Sequence, residues 1–475
     1  MGQQPTSFQP SSTVKSMSYP ELGVFNPRTS ELIHHCSSAD VAVVEQAIQA
    51  AIFKTWGKAT AKERRGVFLR AADIMEQRRS ELIGYMTQET SADEAWCNEN
   101  VNIAVDLLRD VGGRCGTISG TIPQTKDSSV TGLVLNEPYG AVISIAPWNA
   151  PYILGVRSVA LPLGARNTVV LKGTELAPRT MWAIVSVFQQ AGLPDGALNL
   201  ISSEPALAPE VTKALIASPC IKKINFTGST MVGKIIGKLA GEYLKPVVQE
   251  LGGKAPAIVW EDADLDLAAT QCALGAFVNS GQVCMSTERI IVHKAVASSF
   301  KKLFVAETDK MFGASVDGLT MVNEAAATKT KHLVLDAQDK GAVNLSRQEP
   351  QGTQTSLANM RPVILDHVTQ DMKIYYGESF GPSVSIFEVE DEEAALKLAN
   401  DTEYGLTASV FTKDLSRGLR LARAIESGAV HINGMTIHDE AALPHGGAKA
   451  SGYGRFNASY GLGEWVRTKT ITFPN

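Results

Sequence analysis

The stretch YGAVISIAPWNAP, residues 139–151, decides the architecture of this chain. In residues 141–146 a single hydroxyl interrupts a run of apolar side chains, as a strand buried on both faces requires. Pro147 stops the run, because proline has no N–H to give to a ladder, and a helix is expected from Ala150 onward. The same texture returns at 168–171, 197–201, 222–226 and 246–249, with helical patterns at 178–190 and 231–241 between the runs. Alternation of this kind predicts right-handed βαβ units and a mostly parallel sheet covered by helices on both faces, a Rossmann-like nucleotide domain.

Working outward, the pair Gly252-Gly253 offers a turn or hinge, after which the alternation resumes. A helix at 265–278, a strand at 289–293, a helix at 296–312 and strands near 362–365, 383–389, 408–411 and 429–432 make a second α/β unit. Toward the N-terminus, Val41, Val44, Ala47, Ile48, Ala51 and Ile52 recur at helical spacing, with Ser38 or Asp40 as N-cap, and helices dominate to about Asp110. Glycines 112, 113, 116 and 120 then break the chain before an extended stretch at 129–136. Residues 463–473 are again extended and are expected to pair with that stretch, in the same chain or in a neighbouring subunit.

Composition narrows the function classes. With 475 residues, 44% hydrophobic and 20% charged, the chain is globular and long enough for at least two domains. A net charge of −5 supplies no basic surface for nucleic acid, so a small-molecule partner is expected. The six cysteines, 36, 97, 115, 220, 272 and 284, show no CxxC pair, which points to a reducing compartment, the cytoplasm, rather than to disulfides. No apolar stretch approaches the roughly 18 residues of a membrane span. Met1, Gly2 and Thr6 fit a myristoylation pattern, but no basic cluster follows to make membrane attachment stable. The histidines show no HExxH, and His438 and His445 are wrongly spaced for a metal pair on one helix face, so no metal is expected.

Chemistry concentrates at a few positions. Cys284 follows Asn279-Ser280-Gly281-Gln282-Val283, beside a glycine that admits a ligand to the backbone; an isolated buried cysteine is more often inert core. Glu250 ends a strand where an open α/β sheet places its crevice, either as a solvated carboxylate or as a base. A thiol and a carboxylate together suit covalent attack on a carbonyl followed by hydrolysis. Asn149 ends another strand of that sheet, as an oxyanion donor or as a cap of the next helix. Lys172 and Glu175 follow a strand where a ribose would sit, and a carboxylate there favours NAD over a 2′-phosphate. Gly228, Ser229 and Gly233 open a helix that suits a phosphate, though an ordinary strand-to-helix turn reads the same way.

Taken together, these residues resemble the NAD(P)-dependent aldehyde dehydrogenase superfamily over nearly the whole chain after about Pro27. The likeness rests on Pro147-Trp148-Asn149, Leu171-Lys172 with Glu175, Phe226-Thr227-Gly228-Ser229-Thr230, Glu250-Leu251-Gly252-Gly253-Lys254, Gly281-Gln282-Val283-Cys284, Glu378-Ser379-Phe380-Gly381-Pro382 and Gly446-Gly447. It implies Cys284 as nucleophile, Glu250 as general base and Asn149 as oxyanion donor. It further implies Trp148, Lys172, Glu175 and Ser229 around the adenosine and phosphates of NAD, and Glu378 with Phe380 near the nicotinamide ribose. The implied fold has an NAD-binding domain (1–118 and 139–252), a catalytic domain (253–448) and oligomerisation segments (119–138 and 449–475) of a homodimer or homotetramer. The implied reaction runs through a Cys284 thiohemiacetal and thioester, which Glu250-activated water hydrolyses. Gly173, Thr174 and Ser379 depart from the usual pattern without removing a functional group.

Residues 284–290 and His438-Asp439-Glu440 are similar to the branch that oxidises aromatic aldehydes such as benzaldehyde, vanillin and salicylaldehyde. Trp96, Tyr152, Val283, Met285, Ile437 and Leu443 are candidate walls of a flat apolar pocket, and Arg157 either reaches a ring hydroxyl or forms a structural ion pair. The alternatives are an aliphatic aldehyde or semialdehyde dehydrogenase, or a protein that kept the fold without activity.

Overall fold

The computed structural model describes residues 7–8, 21–51, 55–313, 318–346 and 356–475. The Met1, Gly2 and Thr6 pattern and Ile52 of the first helical stripe lie outside the described residues. Helices Val41–Ala50, Ala61–Gln77, Arg79–Thr90 and Glu94–Arg114 open the chain after a hairpin, Glu21–Phe25 with Leu32–Ser37, that periodicity did not reveal. Asp40 caps the first helix by accepting from the Val43 N–H, whereas Ser38 Oγ accepts from the Glu204 N–H.

The quoted stretch forms the strand Ala141–Ile145, paired in parallel with Thr168–Lys172 on one side and Ile221–Thr227 on the other. Leu198–Ile201 and Val247–Glu250 extend the same parallel sheet outward. All five strands therefore finish along one edge, and the chain leaves Ala141–Ile145 at the point where strand order reverses, which opens a crevice there. Gly452–Tyr453 completes the sheet, antiparallel to Val247–Glu250, and so returns the C-terminal segment to the Glu250 edge.

The second sheet runs Val343–Asn344, Val363–Asp366, Ser383–Val389, Thr287–His293, Ala255–Val259, Thr407–Phe411 and Ala429–Ile432. Ala255–Val259 was not expected as a strand, because alanine and proline carry little strand preference. It nonetheless lies near the middle of the sheet, and the ladder shifts register at Ala255/Pro256, where proline has no N–H to give. The C-terminal reading also needs correction: Ala458–Gly463 is helical, and the final strand is Val466–Pro474. This strand pairs with Val130–Pro138 of its own chain over its whole length. Its root is fixed by Trp465, which is fully buried and whose carbonyl accepts from Asn167 Nδ2 at 2.9 Å. Among the described residues no helix is long and apolar enough to cross a membrane.

The two sheets meet at the Glu250 edge, where the chain passes from one to the other. A Cβ on Gly253 would lie 2.2 Å from the carbonyl oxygen of Cys284, so this backbone approach exists only because residue 253 is glycine. Gly253→Ala is expected to lower the denaturant midpoint by an amount worth about 1–3 kcal/mol, the usual cost of overpacking. Gly84→Ala, inside Arg79–Thr90 with open space around it, is expected to stabilise by about 0.5–1 kcal/mol. Equal midpoints for the two variants would contradict this packing.

Candidate active site

Cys284 is presented by an irregular turn. Helix Leu265–Phe277 gives way to Val278–Gly281, in which Asn279 (φ 50°), Ser280 (φ 60°) and Gly281 (φ 68°) are left-handed in succession. Two non-glycine residues in that region store of order 1–3 kcal/mol each, so the surroundings must hold them. Ser280 Oγ donates to the Thr320 carbonyl at 2.9 Å, Gln282 Nε2 to the Asn279 carbonyl at 3.0 Å, and Gln282 Oε1 accepts from the Val322 N–H at 2.9 Å. A Cβ on Gly281 would meet the Gly381 carbonyl at 2.3 Å, which ties this turn to the loop carrying Glu378 and Phe380.

Asn149 is locked onto the same turn. Its carbonyl accepts from Trp96 Nε1 at 3.1 Å and from Asn279 Nδ2 at 3.0 Å, and its own Nδ2 donates one N–H to the Gln282 carbonyl at 3.0 Å. The following helix, Pro151–Gly164, has no side-chain cap, which removes the capping role as the reason for an asparagine here. The second N–H on Nδ2 is left to face the cleft.

Glu250 has no exposed surface, so it is not a solvated strand end. The Cys284 thiol donates to its Oε1 at 2.8 Å, and Arg157 Nη2 donates to its Oε2 at 2.7 Å. Arg157 also bonds Asp439 at 2.9 Å, and its Cζ lies 4.8 Å from the centroid of the Phe456 ring. Asn457 Nδ2 supports Asp439 from behind at 2.7 Å. Burial opposes the charge on Glu250, but nearby His445, the Arg157 guanidinium and the Cys284 thiol together outweigh it and hold the carboxyl down at about 2. Burial and the adjacent Glu250 charge push the Cys284 thiol well above its usual value. The resting pair is therefore a thiol donating to a carboxylate.

Pro147, Trp148, Asn149, Thr227, Gly228, Ser229, Glu250, Gly252, Cys284, Lys329, Glu378 and Phe380 line one cleft of about 700 Å³. Ser229 caps helix Thr230–Glu242 by accepting from the Val232 N–H, so the cleft is bounded by a helix N-terminus suited to a phosphate. Trp148 and Phe380 meet edge to face with centroids 6.0 Å apart. Glu378 accepts from the Gly253 N–H at 2.9 Å, and burial together with the Glu288 charge pushes its carboxyl up to about 7. Glu288 in turn bonds Lys254 at 2.5 Å and accepts from the N–H groups of Ser379 and Phe380. Ser379 thus works through its backbone, which explains why its side chain is free to depart from an apolar type.

Not every expected residue reaches this cleft. Lys172 is buried at the end of its strand beside Ile145, and Glu175 lines a neighbouring pocket with Asn26 and Asn323. Gly233 faces Leu251, where a Cβ would approach to 2.5 Å, so it packs the helix behind the cleft. Trp96, Tyr152, Val283, Met285 and Ile437 share one buried apolar cluster that packs against Cys284. Tyr152 is fully buried with its hydroxyl donated to the Leu82 carbonyl, Leu443 is half exposed and outside the cluster, and both are corrected as pocket walls. For Arg157 the structure shows the ion-pair alternative: Nη1 and Nη2 bond the internal carboxylates of Asp439 and Glu250, and the residue does not line the cleft. Sequence reasoning missed His445, Asp439, Asn457 and Glu288 as neighbours of the site; only His438-Asp439-Glu440 and the Gly446-Gly447 segment marked the region.

The model of the aldehyde dehydrogenase family matches residues 14–471. The chain is 42% identical over 458 residues to a vanillin dehydrogenase of Pseudomonas sp. (strain HR199 / DSM 7063), covering 95% of this chain and 94% of that one. The crystal structure of a salicylaldehyde dehydrogenase from Pseudomonas putida G7, complexed with salicylaldehyde, superposes with a TM-score of 0.92 at 38% identity, over 96% of this chain and 95% of the other. A betaine aldehyde dehydrogenase from Staphylococcus aureus in complex with NAD+ superposes with a TM-score of 0.90 at 27% identity, over 95% and 91% of the chains.

Because Arg157 neutralises two buried carboxylates, Arg157→Ala is expected to destabilise the fold by about 3–5 kcal/mol in chemical denaturation, and adding Asp439→Asn should restore part of the loss. A cost below about 1 kcal/mol, as for an exposed pair, would contradict the arrangement.

Proposed function

This chain belongs to the aldehyde dehydrogenase family and is an oxidoreductase acting on aldehydes, and from that premise we propose that it oxidises an aromatic aldehyde of the salicylaldehyde, benzaldehyde or vanillin type to its carboxylic acid with NAD. The observation that carries the reading is the 2.8 Å hydrogen bond from the Cys284 thiol to the Glu250 carboxylate, made beside the buried cluster of Trp96, Val283, Met285 and Ile437. Apolar side chains packed against a nucleophile, with one indole among them, suit an aromatic ring, and the similarity to enzymes named for vanillin and salicylaldehyde supports the same class.

The chain's own groups divide the work as follows. The Cys284 sulfur adds to the aldehyde carbon while its proton passes to Glu250. The oxyanion that forms is held by the free N–H of Asn149 Nδ2 and by the Cys284 backbone N–H. Trp148, Phe380, Gly228 and Ser229 shape a cleft that fits NAD, with the helix N-terminus for its phosphates and Glu378 for a ribose. Bound there, a nicotinamide supplies the acceptor for the aldehyde hydrogen. Glu250 then takes a proton from the water that attacks the thioester on Cys284, and the acid leaves. The preference for NAD over NADP rests on an adenosine ribose that extends beyond this cleft to Glu175, whose carboxylate would repel a 2′-phosphate. All six cysteines are free, which supports a cytoplasmic setting in which Cys284 stays reduced.

The ribbon of Val130–Pro138 and Val466–Pro474 is the surface we assign to subunit contact in a homodimer or homotetramer. An isolated two-stranded ribbon is marginal in water, and this one exposes Leu135, Ile471 and Phe473.

Three outcomes are expected. NADH formation should be fastest in kcat/KM with benzaldehyde, salicylaldehyde or vanillin and slower with succinic semialdehyde and hexanal, and Cys284→Ala should abolish it while NAD still binds. An aliphatic substrate winning by orders of magnitude would remove the aromatic assignment. NAD affinity should weaken as pH falls through about 7, because the Glu378 carboxyl, raised to that value, must be ionised to accept from the ribose; in Glu378→Gln the binding curve should be flat over that range. Ile471→Lys with Phe473→Lys should lower the mass measured by light scattering, and an unchanged mass would place the subunit contact elsewhere.

A further inference from the structure

The loop Glu378-Ser379-Phe380 does not hold its place in the cleft by its own preferences. Phe380 is left-handed (φ 50°), a conformation that a bulky side chain rarely adopts, so its surroundings must impose it. A buried ion pair does so. Lys254 and Glu288 bond at 2.5 Å with 1% and 4% of their side chains exposed. Each end of the pair also grips the loop backbone. Lys254 Nζ donates to the Gly377 carbonyl at 2.9 Å, just before Glu378. The Glu288 carboxylate accepts from the Ser379 N–H at 2.9 Å and from the Phe380 N–H at 3.2 Å, just after it.

We infer that Lys254 and Glu288 are positioning residues that clamp Glu378 from both sides and so set where the nicotinamide half of NAD lies against Cys284. The inference rests on the function proposed above. A buried ion pair adds little stability over apolar residues of the same volume, because the loss of hydration offsets the attraction. Stability alone therefore gives no reason for one here. Its contacts with the loop do, since hydrogen bonds to a charged group are stronger than neutral ones and hold their direction.

Chain order gives the clamp its frame of reference. Lys254 lies four residues beyond Glu250, and Glu288 four beyond Cys284. The two segments cross where Gly253 passes the Cys284 carbonyl, and the Gly253 N–H itself donates to Glu378 at 2.9 Å. Arg289, the next residue, secures the approach to the loop by donating to the Tyr375 carbonyl at 2.6 Å. The sulfur that binds the aldehyde and the loop that faces the cofactor are thus fixed to one crossing.

The clamp also places a charge beside Glu378. The charged and titratable groups around that carboxyl are Glu288, Lys254, Cys284, Tyr404 and Lys329, whose Nζ donates to the Glu378 carbonyl at 3.2 Å. Burial and then the Glu288 charge raise the Glu378 carboxyl, while the Gly253 N–H, Lys329 and Lys254 oppose them. Removing the Glu288 charge without removing its hydrogen bonds therefore separates the clamp from ordinary packing.

The test uses the full chain and two readouts. The first is NAD binding without aldehyde, followed by calorimetry from pH 5 to 9. Glu288→Gln keeps an acceptor for the two N–H groups and loses the charge, so the pH at which NAD affinity falls should move down by about one unit. The second is the single-turnover rate of NADH formation from benzaldehyde with the chain in excess. Glu288→Ala should lower that rate constant about 10²-fold, the cost of a misplacement of about 1 Å, with the amplitude per folded chain retained, and Glu288→Gln should recover most of the rate. An unshifted binding profile in Glu288→Gln would overturn the clamp whether or not Glu288→Ala folds. So would a Glu288→Ala chain that loses amplitude at an unchanged rate constant. A wild-type chain that binds NAD and oxidises none of the aldehydes would instead overturn the function proposed in the preceding subsection.

Discussion

A carboxylate with no exposed surface, clasped between a guanidinium and a thiol, is the constraint that the rest of this molecule answers. Removing a charge from water is so costly that it persists only where partners are fixed in place. Arg157 arrives from a helix that begins directly after the quoted strand, Asp439 and Asn457 arrive from the C-terminal third, and Cys284 arrives from the second sheet. The pairing of Gly452–Tyr453 with the edge strand Val247–Glu250 acquires its purpose here, because it returns the distant segment to the carboxylate.

The nucleophile is placed by strain that its neighbours absorb. Three left-handed residues in succession would not persist in an isolated peptide, yet Asn279 and Ser280 are each held by a hydrogen bond to another element, and glycines 253 and 281 let two backbones pass within contact of the turn. Asn149 belongs to the same lock, since its carbonyl and its amide both bond to this region. Sulfur, carboxylate and amide thus hold their spacing through the packing of two sheets rather than through any one loop.

Much of this was legible in advance, and the gaps follow from physics. Strands such as Ala141–Ile145 and Thr168–Lys172 stood out because burial on both faces favours largely apolar runs. Ala255–Val259 did not, because its place in the sheet comes from neighbours on both sides and not from its own preferences. Trp96 has a contact that its spacing could not show: it belongs to the apolar cluster, and its indole N–H also holds Asn149. Tyr152 and Leu443 were misplaced, and Arg157 was left between two readings, because chain spacing indicates which residues share a helix or a segment, and says nothing of which partner claims a side chain first.

By itself the sequence determined the alternation of strands and helices, the strand ends at Asn149 and Glu250, the turn at Cys284 and the resemblance that joins them, since these follow from local pattern and from motifs read in order. The tertiary structure alone decided that Arg157 serves Glu250 and Asp439, that the Cys284 thiol donates to the same carboxylate, and that the last strand pairs within its own chain. The division has one cause. A hydrophobic period is written in neighbouring residues, whereas the pairing of buried charges depends on which groups the closed core brings together and deprives of water.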